Sequence, residues 1–260
     1  MSSGDKYSVS KFPQSRIASF DICAVSNLKH YVSVILEVDI TESRKRVKEL
    51  KSEGLKITFF GWLLKGIATA IKKHPASAAS LKSKREIIIF NSVTISTIIE
   101  KEIDGIKVPI PLIIKNADTK SAQDISLEVE RAKKEDANRD TIVLNKKKNR
   151  FEGLYYMLPG FLRRAVWRYI LINPKFAYEK MGNVAVSSLG MSGSVNAWFI
   201  HKSIHPISFG IGSVTKKPIV INDSIEVREV LNMTILLDHD VIDGVPMAKF
   251  VRDLVNELSL

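Results

Sequence analysis

The apolar pattern along the 260 residues changes period several times, and each change marks an element. Residues 31–40 (YVSVILEVDI) are β-branched and apolar, which predicts a strand. Thr41 opens a basic helix, TESRKRVKEL, that Gly54 ends. Thr58 starts FFGWLLKGIATAIKKH, which is apolar around much of its circumference and so predicts a buried helix stopping before Pro75. Strands follow at 86–91 and 93–100. The turn EIDG at 102–105 leads into IKVPIPLIIK, whose Pro109 and Pro111 predict an edge or irregular strand. A helix runs from about Ser121 to Lys134. From Gly182 the β pattern returns as NVAVSSLG, ISFGIGSV, KPIVIND and VLNMTILLDHD, ahead of a last helix, PMAKFVRDLVNEL. This mixture predicts an α/β fold: one mixed sheet with helices packed on it in two layers, built as a single domain over residues 1–260.

Residues 135–180 interrupt the pattern. A polar run gives way to RFEGLYYMLPGFLRRAVWRYILINPKFAYEKMG. Leu162, Ala165, Val166, Tyr169 and Ile170 share helical spacing, while Arg163, Arg164 and Arg168 sit elsewhere on the wheel. A helix with Arg and Trp can lie on a membrane. This one is short, and the expected arrangement is a surface helix packed on its own domain or on a partner subunit, rather than a membrane contact through 154–172.

Composition narrows the class. Hydrophobic residues make up 45% and charged residues 26%, which excludes a disordered chain. Lys+Arg is 39 and Asp+Glu 28, a net charge of +11. The basic runs are spread (KSKR at 82–85, KKEDANR at 133–139, KKKNR at 146–150), as on solvated faces, so nucleic acid is not the expected partner. The single cysteine, Cys23, excludes an intrachain disulfide framework and a cysteine-rich metal site. The N-terminus lacks the apolar core of a secretory signal, and no run of 18 apolar residues occurs. A cytoplasmic location is the expectation.

The chemistry concentrates in Asp238-His239-Asp240-Val241-Ile242-Asp243-Gly244. An apolar strand delivers His239 at its end, and a Gly-containing turn starts a helix. An imidazole so placed can take a proton near neutral pH. His30, His74, His201 and His205 lack such a setting and read as structural residues.

This segment resembles the HxxxDG motif of CoA-dependent acyltransferases, shared by the catalytic cores of 2-oxo acid dehydrogenase complexes and by chloramphenicol acetyltransferases. Further similar phrases occur in the family's order: LEVDIT, KITFFGWLLKGIATAIKKHP, DGIKVPIPLIIKNADTKSAQDIS, VAVSSLGMSG and LLDHDVIDGVPMAKFVRDL. The resemblance spans about 16–134 and 182–258. It implies the CoA-dependent acyltransferase fold and a homotrimer with sites between subunits. It implies His239 as general base and Ser187, or Ser188 one register away, as donor to the tetrahedral oxyanion. It implies that Asp243 pairs with an Arg to hold the turn that Gly244 completes. Arg16, in an Arg-xxx-Phe spacing like that of chloramphenicol acetyltransferases, is the expected partner. Acyl-CoA is the implied substrate and no metal is implied.

The chain departs from the resemblance in three ways. Asp240 stands where the complex cores usually carry Arg, next to the base. Residues 135–180 are extra. No lipoyl or subunit-binding domain precedes the core, so any lipoyl group is expected from a separate protein; the acceptor is a dihydrolipoyl thiol or another small molecule. The alternative is a non-catalytic CoA-binding or scaffold relative of the same fold.

Overall fold

The last long strand and its neighbours decide where everything else sits. In the computed structural model, which describes residues 7–12, 15–103, 106–134, 155–189 and 195–260, the strands are β1 (Tyr31–Asp39), β2 (Ser80–Ser83), β3 (Glu86–Ile88), β4 (Ile95–Ile103), β5 (Ile106–Ile114), β6 (Val184–Ser188), β7 (Ile207–Ile221) and β8 (Ser224–Asp238). The helices are α1 (Ser15–Ser26), α2 (Thr41–Ser52), α3 (Phe59–Lys73), α4 (Ala122–Lys134), α5 (Gly160–Ile172), α6 (Pro174–Met181) and α7 (Gly244–Ser259), with a 3-10 turn at Pro75–Ala78.

Six strands form one sheet in the order β1-β8-β7-β6-β4-β5. β6 runs parallel to both β7 and β4, and the other neighbours are antiparallel, so the sheet is mixed as expected. β5 takes the edge, where its two prolines interrupt no further ladder. ISFGIGSV and KPIVIND, expected as two strands, are one strand of 15 residues. Pro218 is tolerated because β6 pairs only with Ile207–Ile211, which leaves the outer half of β7 an edge. Asn222 and Asp223, both at positive φ, make the two-residue turn into β8. The run expected as a strand at 86–91 leaves the main sheet and pairs with β2 in a small hairpin, with KSKR at its turn.

Alternation along the strands builds the core on one face. Ile207, Phe209, Met233, Ile235 and Leu237 point toward Leu64 and Ile67 of α3 and Phe250 and Leu254 of α7, all fully buried. Each such side chain contributes about 1.5–3 kcal/mol by leaving water. Thr58 caps α3 by accepting from the Gly61 amide at 3.0 Å, and Ser126 of α4 accepts from the Thr58 amide. Gly61 lets α4 come this close: a Cβ there would stand 2.1 Å from Ser126 Oγ. On the opposite face, residues 195–205 strap the β7–β8–β1 half. The Ala197 amide donates to Ser213 Oγ, Trp198 Nε1 donates to Leu36 O, and His201 shares a hydrogen bond with Ser208. Covered on both faces, β8 is buried continuously from Val230 to Asp238. Half of the interrupting segment, residues 135–154 with the KKKNR run, lies outside the described residues.

Candidate active site

The strand end that carries His239 is clamped by the link between α1 and β1. Asp238 is fully buried, and Lys29 Nζ meets its carboxylate at 2.6 Å. The His239 amide donates to His30 O at 2.9 Å, and the Asp238 amide donates to Pro206 O. His30 Nδ1 and Asp240 Oδ1 are 2.9 Å apart, so the acidic neighbour of the base is engaged by a different imidazole. The Val241 amide donates back to Asp238 O and closes the turn. Neither Lys29 nor His30 was singled out by the sequence pattern; the β1 hydrophobic run begins one residue later and hides the polar pair ahead of it.

The turn rests on a buried polar layer. Tyr31 donates its hydroxyl to His205 O at 2.6 Å, and His205 Nε2–H donates to Met181 O at 3.1 Å. Burial pushes the Tyr31 phenol up, with the Asp238 charge a second cause. Burial holds the His205 imidazole down, at about 4. His205 is thus a neutral strut, as its reading as a structural residue requires, and His74 is also held structurally, joined to Asp253 at 2.8 Å.

His239 itself is exposed, with no side-chain hydrogen bond among the described residues. Asp243 stands at the N-cap of α7, also exposed, and its carboxylate makes no hydrogen bond or ion pair among the described residues. Gly244 opens that helix with open space around it. Arg16 lies on α1 with its guanidinium over the Phe12 ring, and one chain does not bring it to Asp243.

Ser187 is far from this turn within one chain. It ends β6 beside Ser188, opposite Gly210 of β7, which pairs with Thr234 of β8. From that row to His239 is five residues, roughly 16 Å along the strands, with two strand spacings, about 10 Å, to cross. Its side chain shares a face with Ala185, opposite the buried Val184 and Val186. The β6–β4 part of that face is open: Ile98 of β4 is 56% exposed.

The same architecture occurs in solved structures. A probable dihydrolipoamide acetyltransferase from Listeria monocytogenes superposes with TM-score 0.67 at 24% identity, covering 99% of this chain and 95% of that one. Azotobacter vinelandii dihydrolipoamide acetyltransferase gives 0.69 at 19% identity over 98% and 93%, and chloramphenicol acetyltransferase 0.51 at 13% over 98% and 99%. The architecture is the CoA-dependent acyltransferase fold. More specifically, the chain belongs to the 2-oxoacid dehydrogenases acyltransferase (catalytic domain) family, whose model matches residues 22–143 and 177–259. The lipoamide acyltransferase component of the Bacillus subtilis branched-chain alpha-keto acid dehydrogenase complex is 28% identical over 225 residues, 84% of this chain and 44% of that protein. The acetyltransferase component of the Bacillus subtilis pyruvate dehydrogenase complex is also 28% identical, over 85% of this chain and 43% of its own length. The chain thus spans less than half the length of these relatives.

Replacing Lys29 with Met leaves the Asp238 carboxylate buried without its cation. Unfolding in urea is expected to show a loss of about 3 kcal/mol, largely recovered in Lys29→Met/Asp238→Asn; a single variant as stable as wild type contradicts the clamp. His205 generates a pH dependence. The unfolded imidazole takes a proton near pH 6.5 and the buried one only at about 4, so the unfolded state binds more protons between them. Stability therefore falls as pH drops through that window, by up to about 3 kcal/mol from this residue. His205→Gln, which keeps a donor for Met181 O, flattens the slope; an unchanged slope in thermal melts from pH 6.5 to 4 contradicts the assignment.

Proposed function

We propose that the chain transfers an acyl group between CoA and a thiol or other small acceptor, in a homotrimer whose sites join His239 of one copy to Ser187 of the next. The observation that carries this reading is the separation of the two residues. The imidazole stands free at one end of the sheet, and the Ser hydroxyl sits on an open sheet face pointing elsewhere. A cyclic assembly of identical chains is the simplest way to make complete sites from such halves. Exposed Val220, Ile225 and Val227 on the outer β7–β8 hairpin supply further apolar surface for subunit contact. In such an assembly Asp243 and Arg16, neither in an ion pair among the described residues, would acquire ionic partners.

In the reaction His239 accepts the proton of the CoA or acceptor thiol as that sulfur attacks the acyl carbonyl. A C–S bond forms and the carbonyl electrons move onto oxygen. Ser187 donates a hydrogen bond to that oxyanion, a contribution of about 3–4 kcal/mol in the transition state. Collapse breaks the bond to the departing thiolate, which takes the proton back from His239. In the Azotobacter vinelandii acetyltransferase, a serine, a histidine and an asparagine four residues beyond the histidine were investigated for roles in catalysis. The same interval separates His239 from Asp243 here. The dihydrolipoyl thiol is the favoured acceptor because the family's curated relatives are lipoamide and dihydrolipoyllysine acyltransferases. The one cysteine, Cys23, is free and exposed, which suits a reducing compartment.

CoA release from acetyl-CoA, measured with dihydrolipoamide or with a panel of small alcohols and amines, tests the reading. His239→Ala is expected to lower the rate about 10²–10⁴-fold and Ser187→Ala about 10²–10³-fold, with the fold intact. Full activity in His239→Ala overturns the mechanism. CoA binding with no turnover in any arm assigns the chain to the non-catalytic alternative.

A further inference from the structure

α5 carries a second apolar side that faces away from its own domain. It forms where the sequence predicts, yet none of its residues is buried. Its inner side carries half-buried Trp167, Ile170 and Leu171 and is held by polar contacts: Arg163 Nε meets Asp21 of α1 at 2.6 Å, Trp167 Nε1 donates to Tyr155, and Tyr155 donates to the same Asp21. Its outer side is apolar. Phe161 is 65% exposed, Tyr169 59% and Ile172 71%, and Leu162 and Val166 lie between them. At about 100° per residue these five, with Ala165, fill an arc of roughly 140°. Arg164 and Arg168 flank it on one side. Of the two expected arrangements, this face does not pack on the described residues of its own domain, which leaves packing on a partner subunit. The family match breaks between residues 143 and 177, so α5 lies outside the matched segments.

We propose that α5 docks this protein on an anionic lipid bilayer, lying in the interface with Phe161, Tyr169 and Ile172 inserted. Charge selects this occupant. From Gly153 to Tyr178 the sequence holds Arg163, Arg164, Arg168 and Lys175 and no acidic residue, within a chain of net charge +11. A two-fold contact between copies through this face would set Arg168 and Arg164 against themselves, which disfavours self-association there. An acid-free apolar arc with basic flanks matches an acidic headgroup layer over hydrocarbon. No helix among the described residues is long and apolar enough to cross a membrane, so the contact is peripheral. Docking would also orient the site. Leu171 and Pro174 line a small cavity with Lys29, His205 and Pro206, the residues that support the His239 turn. The His239 end of the sheet would then be held beside the bilayer.

The test is co-sedimentation of the full chain with phosphatidylcholine vesicles, with and without phosphatidylglycerol; it reads no activity and so stands or falls apart from the acyltransfer reading. Wild type is expected to pellet with the anionic vesicles and to stay in solution with the neutral ones. Arg168→Ala should weaken partitioning about fivefold, the effect of one basic residue near an anionic leaflet. Tyr169→Glu/Ile172→Glu should abolish it while circular dichroism and the oligomeric state remain those of wild type. Wild type remaining in solution with both vesicles overturns the proposal and favours an acidic protein partner. A double variant that still pellets, or one that changes the oligomeric state, also overturns it, the latter assigning the face to contacts between copies.

Discussion

The buried pair between Lys29 and Asp238 is the constraint on which the geometry of this molecule turns. A carboxylate with no exposure at the end of an apolar strand is costly unless a cation meets it. Lys29 meets it at 2.6 Å, which obliges the link between α1 and β1 to lie against the end of β8. That placement lets His30 O receive the His239 amide and brings His30 to Asp240. Tyr31, the next residue, then reaches His205 O, and His205 reaches Met181 of α6. One ion pair thus ties the first helix, β8, the 195–205 strap and α6 around the exposed imidazole of His239.

Register keeps that imidazole apart from Ser187 within one chain. β8 and β6 are held apart by β7, and β6 is parallel to β7 while β8 opposes it. Residues at the C-terminal ends of β6 and β8 therefore move away from each other along the sheet. No side-chain rotation closes a gap of about 16 Å along the strands. The same arrangement leaves Ser187 on a face that, toward Ile98, is open among the described residues. The sheet presents two half-sites pointing in different directions, which is the physical basis for reading it as one part of a cyclic assembly.

Much of this was legible in the sequence because the signals were local. Thr58 before an apolar run, Gly54 after a basic one, and a short strand rich in β-branched residues each act within a few residues. Pro109 and Pro111 announced an edge because a missing amide is tolerated only there. What the pattern concealed was non-local. The joining of ISFGIGSV and KPIVIND depends on how short β6 is, which no window around Pro218 reveals. Lys29 and His30 matter only through partners more than 200 residues away. The periodicity of α5 correctly gave a helix with an apolar face, but periodicity carries no sign. The buried Asp21, by holding Arg163 and Tyr155, fixed which side of the helix faces out.

The most direct test of a site divided between chains is complementation. His239→Ala and Ser187→Ala chains, each inactive as a pure assembly, are mixed in equal amounts under conditions that exchange subunits, and CoA release is measured. The account predicts that activity returns to about a quarter of wild type, since that share of sites pairs an intact imidazole with an intact hydroxyl from different chains. Assemblies shown to contain both chains that remain as inactive as either parent would contradict it.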